Sequence, residues 1–356
     1  MNSTSIQPYF SIGIPTYNRK QLLKQCLSSI LKQTFTDFEV LIGNDYTEEP
    51  LSSDLLSMED SRIRIINHIR NLGEVGNMNA LLKMSRSRYF IWQFDDDLYA
   101  PDFLESVYSV INQFRQPQCV YTSYGYVWGA SFPKVTGKTS WKSKLFSGPQ
   151  FIRRYLSGRL KILGACGIFD AEYLKVMGGA QKFYDCPIGV HAEHFIAVRT
   201  GLLNRVAYVN EPLVFYRNHE DSWSYKNKDA DIYKQAGINF IRESIKVLTE
   251  PMLREDFEQN FSGLLKLSIN IVLGKLIIRD GYLNKQELTE YIFSFQGQIG
   301  IIKDPVLYET ARVCLERAAK QNRTLAMLKT KFKFYTPFPF VKFAYMIRAF
   351  LSRFRC

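Results

Sequence analysis

The chain has 356 residues, enough for one large α/β domain with an appended region, or for two modest domains. Hydrophobic residues make up 46% of it, which excludes global disorder, and 46 Lys and Arg against 34 Asp and Glu leave a net charge of +12. Such a balance attracts phosphate in general, whether on nucleic acid, anionic lipid or a diphosphate substrate, and does not choose among them. The six cysteines show no CxxC spacing, the pattern of free thiols in a reducing compartment. The polar start resembles no signal peptide, and the most apolar run, Phe261 to Ile278, is interrupted by Lys266 and Lys275. A cytoplasmic chain that does not cross a bilayer is expected.

In chain order, Phe10 to Ile14 reads as a strand ended by Pro15, and Leu22, Leu23, Cys26, Leu27, Ile30 and Leu31 recur at helical spacing. Phe38 to Ile42 and Ile63 to Ile66 read as the next strands, followed by a helix through Asn79 to Leu82. Tyr89 to Phe94 is a fourth strand and runs into Asp95-Asp96-Asp97; Pro101 then suits the first position of a helix over Asp102 to Phe114. Strands alternating with helices imply βαβ units and a mostly parallel sheet, an α/β class. Ser131 to Gly148 reads as a polar loop or lid, and Phe151 to Arg217 as a second α/β portion. Helices are expected over Asn239 to Leu248, Met252 to Ile278, Lys285 to Phe295 and Pro305 to Lys320, so a domain shift is placed near residue 228. The divisions are therefore 1–228, a helical region 229–328 and a tail 329–356.

In parallel sheets ligands bind beyond the carboxyl ends of the strands. Pro15 to Arg19, Asn44-Asp45 and Asp95-Asp96-Asp97 all fall at such ends, so three polar clusters converge on one edge. Adjacent carboxylates repel one another unless cations compensate. One or two acids at a strand end suit Mg²⁺ or Mn²⁺, which take oxygen ligands while bridging a substrate's phosphates.

Taken together, Ser11-Ile-Gly-Ile-Pro-Thr-Tyr-Asn-Arg19, Asn44-Asp45, Asn71-Leu-Gly73 with Asn79, and Phe94-Asp-Asp-Asp-Leu-Tyr-Ala-Pro101 resemble family-2 glycosyltransferases in spacing and order. The resemblance covers about residues 8 to 225 and implies the GT-A fold, a nucleotide-diphospho-sugar donor and inversion at the transferred carbon. It implies that Pro15, Thr16, Tyr17, Arg19 and Asp45 hold the nucleotide, with Asn71, Asn79, Asp95 and Arg217 completing the donor set. The chain departs from the family at Tyr46-Thr47, where Gly-Ser is usual, and at Phe94, which replaces the first acid of the metal motif. Matched to the family's acidic motif by counting back from Pro101, the resemblance implies Asp96 as the direct ligand of Mn²⁺ or Mg²⁺, with Asp97 beside it.

His191-Ala-Glu-His194 raises a zinc reading, but the His-Glu-x-x-His order of metalloproteases and the Pro-Cys-x-x-Cys of zinc deaminases are missing. The resemblance instead implies Glu193, six residues before Arg199, as the general base. The cluster Tyr216-Arg217-Asn218-His219 matches the end of the family's catalytic domain and implies His219 as a metal or diphosphate ligand. Gly164 to Gly167 and Gly178-Gly179 admit either turns or a close approach of the acceptor.

The tail carries seven Lys and Arg among nine Phe and Tyr between Lys329 and Cys356, and no acid. Cations for headgroups and rings for the acyl boundary fit an anionic membrane surface; packing on the protein and base stacking are the alternatives. The expectation is an enzyme peripheral to the inner face of a membrane, moving one sugar to a glycan or lipid-linked acceptor. Its rivals are a nucleotidyltransferase, for which a glycine-rich loop after the first strand is missing, and a basic nucleic-acid-binding protein, which leaves the acids unexplained.

Overall fold

The computed structural model describes residues 7–128, 142–164, 166–219, 222, 226–227, 229–280 and 284–327. The tail 329–356 and most of the expected loop 131–148 lie outside the described residues. The first half runs β1 (Phe10–Thr16), α1 (Lys20–Leu31), β2 (Phe38–Asn44), α2 (Ser53–Leu56), β3 (Ile63–Asn67), α3 (Gly73–Met84), β4 (Tyr89–Trp92), β5 (Leu98–Tyr99) and α4 (Phe103–Gln113). β6 (Cys119–Trp128), β7 (Ser143–Phe146), α5 (Gly148–Leu156), β8 (Ile168–Asp170), α6 (Ala171–Val176), α7 (Ala192–Arg199) and β9 (Val206–Asn218) follow. The rest is helical: α8 (Ala230–Leu248), α9 (Phe257–Asp280), α10 (Lys285–Ser294), α11 (Gln296–Ile299) and α12 (Pro305–Met327).

The strands form one sheet in the order β3-β2-β1-β4-β8-β6-β9-β5, with β7 on β9. β1, β2, β3 and β4 are mutually parallel, Phe10 facing Phe38 on one side and Tyr89 on the other. β8 inserts antiparallel between β4 and β6, and β6 runs parallel to β9. β1 and β2 are buried along their whole length, which is why they read as mainly apolar runs without strict alternation, their buried Ser11 and Glu39 bonded to each other. α1 and α4 cover one face and α3 and α6 the other.

Among the boundaries that differ from expectation, three have a clear local cause. Residues 143–146 of the expected loop pair antiparallel with β9, adding a strand. α4 begins at Phe103, because Pro101 and Asp102 form the turn before it. α8 begins at Ala230, where the Asp229 carboxylate accepts the Asp231 N–H as an N-cap; the apolar spacing alone placed the start at Asn239.

The helices after residue 229 share one apolar cluster with α5, α7 and the 183–190 segment, in which Phe183, Phe195 and Phe240 meet. Among the described residues one helical stretch, Pro251–Asp280, is long and apolar enough to span a bilayer by length and composition, an 18-residue window of it reaching mean hydropathy 1.7. Yet Phe261, Leu264, Leu265, Val272 and Leu276 of α9 are buried inside that cluster. Lys275 is buried with them, its ammonium 4.3 Å from the Tyr233 ring centroid.

Candidate active site

The carboxyl ends of β1, β2 and β4 bring the expected clusters together. Thr16, the last residue of β1, donates its hydroxyl to Asp95 Oδ2 at 2.6 Å. Arg19 donates from one nitrogen to Asp95 Oδ1 at 3.3 Å and to Asp96 Oδ2 at 3.0 Å. Its guanidinium is the compensating cation that three adjacent acids demand. Burial, then the Asp96 charge, still pushes the Asp95 carboxyl up to about 7, against the pull of Arg19.

The three acids diverge. Asp96 faces His219 across the β9 end, Oδ2 to Nε2 3.0 Å, and both side chains reach the surface in part. Asp97 is 1% exposed, and one of its oxygens accepts the Arg217 main-chain N–H at 2.9 Å. Burial raises its carboxyl well above the usual range. It therefore braces the strand that delivers Arg217 and His219, a supporting place rather than the open ligand position expected of it.

Among the described residues no three His, Cys, Asp or Glu side chains form a ready metal cage. Asp96 and His219 supply an oxygen and a nitrogen at hydrogen-bond distance, and the His219 Nδ1 is buried without a partner. That pair fits a divalent ion whose remaining ligands are phosphate and water. Arg217 is buried, bonds Gln25 of α1 through one nitrogen, and leaves Nε and Nη2 without partners. Unspent donors on a buried guanidinium beside the acids suit an oxyanion.

The nucleotide side is less uniform. Tyr17 is 52% exposed and meets Tyr46 edge-on at 5.3 Å, and the Tyr46 hydroxyl donates to Glu48. Tyr17, Asn18, Arg19, Lys20 and Lys226 border an open hollow of about 540 Å³. Pro15 is buried within β1. Asp45 is buried and spends one oxygen on the Leu72 N–H at 2.7 Å; burial raises its carboxyl. Asn71 caps its own turn through the Gly73 N–H. Asn79 does not reach this edge: its amide donates to the Ala180 carbonyl and accepts the Ala180 N–H, both at 2.9 Å. Both asparagines, expected in the donor set, hold the chain in shape.

Glu193 opens α7 and is partly exposed, 3.9 Å from His194 Nε2. Gly164 permits this placement: a Cβ there would lie 1.9 Å from the Glu193 carbonyl oxygen, so the close approach is to the helix start rather than to an acceptor. Gly178 and Gly179 have φ of +83° and +60°, which confirms the turn reading for that pair. His191 and His194 do not converge on a metal. The His191 ring stacks on Phe240 at 4.9 Å, its pKa lowered to about 3 by burial, while His194 Nδ1 bonds the Tyr155 hydroxyl at 2.8 Å. Arg199 is buried against the Met177 and Gly179 carbonyls.

Glu74 was not anticipated, although it follows Gly73 of the quoted motif directly. It starts α3 beside the Asp triplet, accepts the Gly189 N–H, and its pKa is raised to about 7 by burial, then by Glu193, Asp96 and Asp95. These mutual influences place the acid triplet, Glu74 and Glu193 around one cleft. Gln25, in the middle of α1, carried no signal in the sequence.

The mixed, mostly parallel sheet with its acids at the carboxyl edge, followed by a helical region, is a GT-A fold. Residues 11–170 match the model of glycosyl transferase family 2, so this segment is a family-2 glycosyltransferase domain. In Escherichia coli, the UDP-Glc:alpha-D-GlcNAc-diphosphoundecaprenol beta-1,3-glucosyltransferase WfgD is 30% identical over 28% of this chain and 40% of its own length. An uncharacterized glycosyltransferase of Haemophilus influenzae is 30% identical over 30% of this chain and 33% of its own. The putative colanic acid biosynthesis glycosyl transferase WcaA of E. coli is 21% identical over 64% of this chain and 86% of its own. The matches thus span two fifths or less of several curated relatives. The structure of S. aureus TarS 1–349 in complex with UDP-GlcNAc shares the fold at a TM-score of 0.61 and 15% identity, over 89% of this chain and 91% of that one.

Proposed function

We propose that this protein transfers one sugar from a nucleotide-diphospho-sugar to a hydroxyl acceptor, with inversion. The observation that carries the reading is the cleft itself, with Asp96 and His219 paired at its floor, the unspent Arg217 guanidinium beside them, and Glu193 on the opposing helix start. The family match of residues 11–170 and the UDP-GlcNAc bound by TarS support a nucleotide-sugar donor, and the name of WfgD supports a lipid-linked acceptor.

Asp96 and His219 would hold Mn²⁺ or Mg²⁺, which when bound supplies positive charge to the diphosphate leaving group. Arg217 adds donors to the same oxygens as charge develops, and Asp97 fixes its backbone. Tyr17 and Tyr46 offer rings to the base. Glu193 accepts the proton of the acceptor hydroxyl as that oxygen bonds the anomeric carbon and the carbon–oxygen bond to the diphosphate breaks. The basic aromatic tail 329–356 holds the enzyme at an anionic surface on the cytoplasmic side.

The test is calorimetric titration of the purified chain with UDP-sugars and GDP-sugars, with and without Mn²⁺. Metal-dependent binding of one of them is expected, and its loss in Asp96→Asn. If no sugar nucleotide binds with the metal present, the enzyme reading is wrong. Deleting 329–356 should release the protein from phosphatidylserine vesicles; unchanged binding removes the tail from that role.

A further inference from the structure

On the acceptor side of the same cleft, a lysine is held by aromatic rings instead of by an acid. Lys161 places its ammonium 4.7 Å from the Tyr124 ring centroid and 5.4 Å from that of Tyr126. The two rings meet edge-on at 5.5 Å, their hydroxyls 3.4 Å apart, and Tyr126 stands against Tyr216 at 6.1 Å. β6 supplies Tyr124 and Tyr126, and its register with β9 sets Tyr126 opposite Tyr216, next to Arg217.

This cradle adjoins the proposed base. Gly164, three residues after Lys161, packs against the Glu193 carbonyl, and Tyr155 lies within electrostatic reach of both Tyr124 and Glu193. Of the other cations, Arg19 is engaged on Asp95 and Asp96 and Arg199 on two carbonyls, and the open donors of Arg217 serve the leaving diphosphate. A ring face attracts an ammonium through its quadrupole without cancelling its charge, so Lys161 keeps its full field for a ligand. Among the described residues it pairs with no carboxylate.

We infer that Lys161, seated on Tyr124 and Tyr126, is an acceptor subsite for a phosphoryl group carried next to the accepting sugar. A compact ammonium on a flexible stem suits the point charge of a phosphoryl oxygen, whereas a uronate's planar carboxylate is better matched by a guanidinium fork. The chemistry is shared by a sugar on a lipid diphosphate and a sugar on a phosphodiester polymer. This rests on the function proposed above.

The experiment uses the full chain saturated with UDP and Mn²⁺, so that the donor site is filled. Octyl glucosyl diphosphate, octyl glucosyl phosphodiester and methyl glucuronide are then titrated by calorimetry. The wild type is expected to bind one or both phosphoryl esters and to bind the glucuronide at least tenfold more weakly; whichever ester binds tighter names the source. Lys161→Met keeps the stem packed on the rings, and should weaken ester binding by about tenfold with UDP affinity unchanged. Lys161→Arg should retain most of it. Equal ester binding by wild type and the Met variant overturns the subsite, as does glucuronide binding as tight as the esters, or no ester binding at all on the UDP-loaded protein. Failure of UDP itself to bind with Mn²⁺ would instead sink the enzyme reading.

Discussion

Two carboxylates where the start of α3 meets the start of α7 have separable roles. Glu193 is partly exposed at a helix start, so removing its charge should leave the nucleotide side intact. Glu193→Gln is expected to lower kcat by about 10²- to 10⁴-fold with donor affinity unchanged; a variant with near-normal turnover would exclude it as the base. Glu74 titrates near neutrality because it is crowded by burial and by Glu193, Asp96 and Asp95. Its folded pKa lies above the ordinary value, so its stabilising contribution is complete below the unfolded pKa of 4.5 and is lost as pH rises through about 7. Full burial would make that shift worth about 3 kcal/mol; water at the open cleft cuts it to about 1 kcal/mol. Glu74→Gln, whose amide oxygen can still accept the Gly189 N–H, should therefore match wild-type melting at pH 4.5 and exceed it by about 1–2 °C at pH 8. A gap independent of pH would show that Glu74 is not ionising in this range.

At the scale of elements, α3 governs where Glu193 stands. Asn77 donates to the Gly43 carbonyl and meets His68, fastening the helix to β2, and a Cβ at Gly43 would lie 1.9 Å from the Asn77 oxygen. Asn79 holds Ala180 by both amide groups, and the Glu74 N–H donates to the Pro187 carbonyl. The segment from Ala180 to Val190, which leads into α7, is thus shaped by α3. Asn79→Ala strips two bonds from a buried main-chain pair and should cost about 1–3 kcal/mol. It should also lower kcat while donor affinity holds, because the damage reaches Glu193 and not the Asp96 edge; an unchanged kcat in a destabilised protein would uncouple α3 from the base. The sequence placed the first four strands and the acid cluster well, since parallel strands and acids at strand ends are local patterns. It could not show that Asn79 is structural, or that Asp97 turns inward, because those outcomes depend on Ala180 and Arg217, 101 and 120 residues away. β7 was missed for the same reason, its four residues being strand only by pairing with β9.

Across the whole molecule, the composition shift near residue 228 marks a change of secondary structure without marking a break in the core. Phe240 of α8 stacks on His191 and meets Phe183 and Phe195 edge-on at 5.7 and 6.4 Å, so the helical region completes the floor beneath Glu193. α9 packs on α5 through the same cluster, where a Cβ at Gly263 would press on Leu156 at 2.8 Å. Two regions sharing one close-packed core should lose it together. The chain offers separate probes: its four tryptophans, Trp92, Trp128, Trp141 and Trp223, all precede residue 229, while the long helices follow it. Tryptophan fluorescence and helical circular dichroism should therefore melt at one temperature. Phe240→Ala opens a cavity at the junction, and should cost about 3–5 kcal/mol and move both curves equally. If fluorescence held its wild-type midpoint while the helical signal fell, the 229–327 helices would be an independent unit, and the placement of Glu193 would not depend on them.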